Sequence, residues 1–260
     1  ASDVYKRQLS GGGIFISKEN FIMGYVSENK RKAYLLAGFI GMFFCGIGDI
    51  LLSFRGEGEP YAVNGMMSMS ITEIPMLYYQ LSFFIGIIAM IGYFLGSRAM
   101  LSYITDRLDG KPSKLRKLFG FGSGMMSLGI FGIHSVCCMA IMGFKAAADA
   151  GLSPEQIDKY FTPILIMPFI ITTIWQTAAD LMVAIAYIGL VSKKVINISK
   201  AWILCGPIVL YVIFGVIKAV LNAVCSSPLP AKMFSGGETW GLSFMFLAVL
   251  ICISKNKEKA

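Results

Sequence analysis

The stretch Cys45-Gly46-Ile47-Gly48-Asp49-Ile50-Leu51-Leu52 places a carboxylate inside an apolar run. A charge in hydrocarbon is costly, so an intramembrane acid marks a functional-site candidate. Asp180, His134 and Lys218 lie in comparable runs on three other segments. Helical spacing adds amides to this set. Thr172, Gln176 and Asp180 fall at i, i+4 and i+8, and Tyr211, Lys218 and Asn222 at i, i+7 and i+11. Glu73 and Gln80 are seven apart and align if their helix reaches back past Pro75. The candidate binding constellation is therefore Asp49, Gln80, His134, Gln176, Asp180, Lys218 and Asn222, with Asp49, Asp180 and His134 as the acid–base candidates. Such groups can relay protons or hold a charged solute, and two carboxylates can act as general acid and base. A competing reading makes Lys218 a structural counter-ion for Asp49 or Asp180 and His134 a hydrogen-bonded interior residue.

Apolar segments must position these residues. The 260-residue chain is 56% hydrophobic and only 15% charged, against about 25% charged for a soluble domain. Six segments near 33–54, 76–97, 118–144, 161–191, 202–224 and 239–253 approach or exceed the roughly 20 residues that cross a bilayer. The expected fold class is all-α, a polytopic membrane protein of six transmembrane helices. Eighteen lysines and arginines fall in the tails and the second and fourth connections, four fall on the opposite side, and Lys218 is the remaining one. This asymmetry predicts that both termini are cytoplasmic. It also explains the net charge of +8 without a nucleic-acid partner. With that orientation Asp49 lies roughly 8 Å below the outer hydrocarbon surface, His134 and Lys218 lie at overlapping depth, and Asp180 lies nearer the middle. The polar groups are expected to line a cavity open toward the outside. Ser153-Pro154-Glu155-Gln156 predicts a capping box and a short helix leading into the fourth span. Glycines 120, 124, 129 and 132 in the third span, and Gly41 with Cys45 in the first, predict close helix packing.

The six cysteines form no Cys-x-x-Cys pair and no disulfide framework. His134, Cys137 and Cys138 stand at i, i+3 and i+4, yet the chain has one histidine and zinc takes three or four protein ligands. No metal and no cofactor is expected. Asp3-Val4-Tyr5-Lys6-Arg7-Gln8 resembles a translated sequencing adapter, and Lys18-Glu19 can be encoded as a ribosome-binding sequence ahead of Met23. Residues 1–22 are thus expected to be a non-native leader and 23–260 a single transmembrane domain.

Three resemblances bear on function. Gly46-Ile47-Gly48-Asp49 resembles the Gly-x-Gly-Asp motif of the presenilin and prepilin-peptidase group, but Ala179 precedes Asp180 where that group has Tyr-Asp. Gly48-Asp49-Ile50-Leu51-Leu52 is similar to an acidic helix of the lysoplasmalogenase-type family. That likeness implies Asp49 and Asp180 acting on a lipid bond. Architecture, the Gly-Asp patch and Trp175-Gln176 with Asp180 make the chain similar to small bacterial six-span membrane proteins with no assigned function. That likeness implies a bacterial cytoplasmic membrane with lipids as partners. Three plus three spans, with Gly48-Asp49-Ile50-Leu51 echoed by Ala179-Asp180-Leu181-Met182, suits an inverted repeat. The leading expectation is small-solute or proton-coupled binding and transport. Lipid hydrolysis and a structural or partner-binding subunit are the alternatives.

Overall fold

The computed structural model describes residues 26–54, 60–62, 67–227 and 229–257. The proposed leader and the start at Met23 lie outside the described residues. Six helices are long and apolar enough to cross a membrane. They are α1 (Glu28–Ser53), α2 (Met76–Arg107), α3 (Lys114–Asp149), α4 (Pro154–Ser192), α5 (Pro207–Val224) and, after the short α6 (Leu229–Lys232), α7 (Gly237–Lys257). A two-stranded antiparallel ribbon, Pro60–Ala62 with Met67–Ser68, and a 3-10 turn, Met69–Glu73, precede α2.

Proline sets several boundaries. Pro75 is the N-cap of α2 and disfavours helix in the residue before it, so Glu73 stays in the 3-10 turn. The expected Glu73–Gln80 helical alignment is therefore not formed. Pro207 opens α5 after a separate 3-10 segment, Lys200–Cys205, which takes up the first residues of the expected fifth span. The capping box forms with both reciprocal bonds: Gln156 N donates to Ser153 Oγ at 3.3 Å, and Ser153 N donates to Gln156 Oε1 at 2.8 Å. No separate short helix follows. α4 runs unbroken through Pro163 and Pro168 to Ser192.

The helices pack antiparallel in fixed registers. A Cβ built at Gly38 would lie 2.9 Å from the Gly96 Cα, and one at Gly41 would lie 3.1 Å from the Gly92 Cα, so the α1 and α2 backbones nearly touch. α7 lies on the other side of α1, with Ser243 Oγ donating to Phe39 O at 2.9 Å and Trp240 edge-on to Phe43. α3 and α4 meet where a Gly122 Cβ would come 2.8 Å from Met182 Cβ. Trp175 Nε1 donates to Met125 O at 2.8 Å along the same seam. Of the expected glycine stripe on the third span, Gly124 and Gly132 face open space. α5 buries only Pro207 and is held mainly by α7. Where α1 begins, Arg31 pairs with Asp106 and donates to Ser102 Oγ at 3.2 Å, pinning the start of α1 to α2. A groove of about 970 Å³ runs between α2, α3 and Trp175. It is apolar apart from Arg116, Lys117 and Ser127, and it is separate from the intramembrane acids.

Candidate functional site

Three helices and the loop before α7 build a polar layer around Asp49. Thr239, in the first turn of α7, donates from Oγ1 to Asp49 Oδ2 at 2.6 Å. His134 on α3 turns Nδ1 to within 3.7 Å of Asp49 Oδ1. Its other nitrogen, Nε2, lies 2.9 Å from the Ser82 carbonyl oxygen on α2. A carbonyl only accepts, so Nε2 carries a proton and Nδ1 is the nitrogen turned toward the carboxylate. Ser82 Oγ donates to Gly48 O at 2.8 Å and lies 3.3 Å from His134 Nε2.

Ser82, His134 and Asp49 thus follow the order of a nucleophile, base and orienting acid. The chemistry of that order is blocked locally. Ser82 is fully buried, and its hydroxyl proton is committed to the Gly48 carbonyl. Its role in this arrangement is to tie α1, α2 and α3 together.

Two glycines make room for the pair. A Cβ at Gly86 would run into the His134 ring, and one at Gly236 would run into the Asp49 carboxylate. Gly236 also has φ +69°, a conformation L side chains rarely adopt. Gly86→Ala is expected to push the imidazole off the Ser82 carbonyl and to cost about 1–3 kcal/mol through overpacking. Thermal unfolding in detergent checks this, and an unchanged midpoint would show that the ring is not held against α2.

A second polar cluster surrounds Asp180. Gln176 Nε2 donates to Asp180 Oδ2 at 3.1 Å and also contacts Met126 Sδ at 3.1 Å. Asp180 Oδ1 is buried and has no hydrogen-bond partner among the described residues. The Tyr93 hydroxyl sits beside Ser97 and Ser123 and within electrostatic range of Asp180. Ser123 and Ser97 are within hydrogen-bonding reach of the Tyr93 hydroxyl, although none of these contacts has the geometry of a well-formed hydrogen bond. Small rotations let these hydroxyls satisfy one another, so Asp180 Oδ1 is the buried oxygen left for water or a ligand to pair.

Glu238, the residue before Thr239 on α7, lies within electrostatic range of both clusters. The acidic groups acting on it are Asp180 and Asp49, whereas Asp49 feels His134 and Thr239, and Asp180 feels Gln176. Glu238 and Thr239 are not among the residues expected from sequence: Glu238 falls just outside the apolar segment 239–253, and Thr239 is its first residue. The polar run Gly236-Gly237-Glu238-Thr239 at its edge was the available signal.

The seven expected residues divide accordingly. Asp49 and His134 come together, and so do Gln176 and Asp180, in a neighbouring cluster. Gln80 is exposed, because the adjacent Tyr79 takes the inward position on α2. Asn222 is exposed, and Lys218 makes no ion pair with Asp49 or Asp180 among the described residues. Both lie on peripheral α5. Among the described residues the donor group compact enough for a metal is Cys45, Asp49 and His134, within 4.8 Å of one another, and it excludes Cys137 and Cys138. The internal Asp echo does not extend to packing: α1 lies along α2, but α4 touches α5 only sparsely.

A family model described as a family of unknown function, DUF6796, matches residues 19–256. No curated protein and no solved structure matches the chain.

Proposed function

We propose that this chain, which belongs to the DUF6796 family, is an ion-coupled carrier of a small solute. It would reside in a bacterial cytoplasmic membrane, with both termini in the cytoplasm and the Asp49 layer toward the outside. The observation carrying this reading is the set of ionisable groups inside the apolar spans: Asp49 with His134 at 3.7 Å, and Asp180 with one buried oxygen unpaired among the described residues. Asp, Glu and His series inside membrane spans suit proton relay and cation binding.

Lipid hydrolysis is supported less well. Asp49 contacts Thr239 and His134 whereas Asp180 contacts Gln176, so the two carboxylates belong to separate local networks rather than to one acid–base pair. Ser82, the hydroxyl nearest the histidine, has its proton engaged. A structural subunit is also a poorer fit, because a packing device gains nothing from leaving a buried oxygen unpaired.

The test is electrogenic transport in proteoliposomes under an imposed pH gradient. The probes are amino acids, sugars, organic cations and divalent metal ions. At least one class is expected to give a current in the wild type, reduced at least tenfold in Asp49→Asn. No current from any class, together with altered lipid composition in cells expressing the wild type but not Asp49→Asn, would replace the carrier with a lipid hydrolase.

A further inference from the structure

We infer that Cys45, Asp49 and His134 form a binding site for a divalent transition-metal ion of zinc type, and that this cation is the transported solute. The second half rests on the carrier reading above, whereas binding does not.

Cys45 and Asp49 are one turn apart on α1 and present donors from the same face, and His134 supplies the third from α3. The Asp49 Oδ1 to His134 Nδ1 separation is 3.7 Å. Tetrahedral zinc with bonds of about 2.0–2.2 Å holds N and O donors roughly 3.4 Å apart. The pair is therefore already near a coordinated spacing and too far apart for a direct hydrogen bond. All three donor atoms fall within 4.8 Å of one another, so side-chain adjustment rather than helix movement would close the set.

The surroundings match what a metal site requires. A metal-ligating histidine donates its other N–H to a carbonyl or carboxylate, which fixes the tautomer. His134 Nε2 meets the Ser82 carbonyl at 2.9 Å, which directs Nδ1 to the site. Thr239 binds Asp49 Oδ2 at 2.6 Å and leaves Oδ1 as the free ligand atom. Sulfur, imidazole nitrogen and one carboxylate oxygen select zinc and its neighbours over magnesium or calcium, which prefer all-oxygen shells. A thiolate and a carboxylate together neutralise a divalent charge, so the complex suits a low-dielectric site.

Three protein ligands leave a fourth position, as in zinc sites that exchange water or substrate. Access is from the Asp49 side. Its side chain keeps 21% exposure and His134 keeps 10%, while Cys45 is buried at 3%.

The experiment uses the full-length protein, purified and stripped with chelator, then loaded with zinc or cobalt alone. One zinc per chain is expected after desalting, with a raised melting temperature. Cobalt loading is expected to give a thiolate-to-cobalt charge-transfer band. Cys45→Ser should remove the band and weaken zinc binding at least tenfold, while Cys137→Ser leaves both unchanged. Size-exclusion elution identical to wild type shows that Cys45→Ser has folded, and His134→Gln provides an independent ligand deletion. Zinc content far below one per chain, or a band that persists in Cys45→Ser, overturns the site. Zinc uptake by wild-type proteoliposomes, lost in Cys45→Ser, supports the solute assignment. Stoichiometric binding without uptake removes that assignment and leaves the site. A current from another solute without zinc binding removes the inference and leaves the carrier.

Discussion

Asp180→Asn is expected to make the protein more stable and to abolish ion coupling. Asp180 is 6% exposed, and one of its carboxylate oxygens has no hydrogen-bond partner among the described residues. Its other oxygen accepts from Gln176 at 3.1 Å, a bond that an asparagine carbonyl retains. The asparagine amide would then replace the unpaired oxygen with two donors, in the neighbourhood of the Tyr93, Ser97 and Ser123 hydroxyls. Removing a buried charge and adding a donor beside acceptors should stabilise by about 1–2 kcal/mol. Loss of a group able to bind a proton or cation should reduce coupled flux at least tenfold, the usual opposition between stability and a strained site. Thermal unfolding and proteoliposome flux on the same preparation measure both. A lower melting temperature with undiminished flux would mean that Asp180 serves packing alone. Tyr93→Phe separates the contributions, because it deletes the hydroxyl next to Ser97 and Ser123 while keeping the ring 5.6 Å from Phe246. It should leave stability unchanged or slightly raised.

Much of the fold was legible because hydrocarbon imposes a length and a composition on anything that crosses it. The six segments follow from apolar length, the capping box from the local order Ser153-Pro154-Glu155-Gln156, and the meeting of Asp49 with His134 from their overlapping depth. Rotation about each helix axis was less legible. Gln80 lies at a suitable depth for a polar site, but Tyr79 occupies the inward direction and Gln80 is exposed. Lys218 and Asn222 share a helix face as their spacing requires, yet α5 packs mainly on α7 and that face does not reach the acids. Depth locates a residue along the membrane normal and says nothing about which neighbour the helix chooses. The Cys45 contribution escaped for a related reason. Cys137 and Cys138 are close to His134 in sequence, but the imidazole turns toward α1 and α2 because Gly86 leaves space there. Glu238 was missed at a segment boundary, where an acid reads as a flanking loop residue until α7 is seen to begin at Gly237.

Gly92→Leu is expected to separate α1 from α2 and to destabilise the whole bundle. The chain has little alternative means of holding these helices together, since lipid solvates an apolar face as well as another helix does. Association within a membrane then depends on close van der Waals contact, which small residues permit. At Gly92 a Cβ would lie 2.6 Å from the Ala37 carbonyl oxygen and 3.1 Å from the Gly41 Cα. Both obstacles are backbone, so no side-chain rotation relieves them, and the helices themselves must move apart. That movement would carry Gly48 away from Ser82, breaking the 2.8 Å bond that ties α1 to the helix contacting His134. Overpacking in a core costs about 1–3 kcal/mol, and a clash with rigid backbone belongs at or above the upper end. Gly124→Leu is the matched control, because nothing lies within 4 Å of a Cβ there. It should melt with the wild type while Gly92→Leu unfolds several degrees lower and loses Asp49-dependent transport. Equal melting of the two variants would show that the Gly41–Gly92 contact is not what sets the α1–α2 register, and the alignment of Asp49 with His134 would then need another cause.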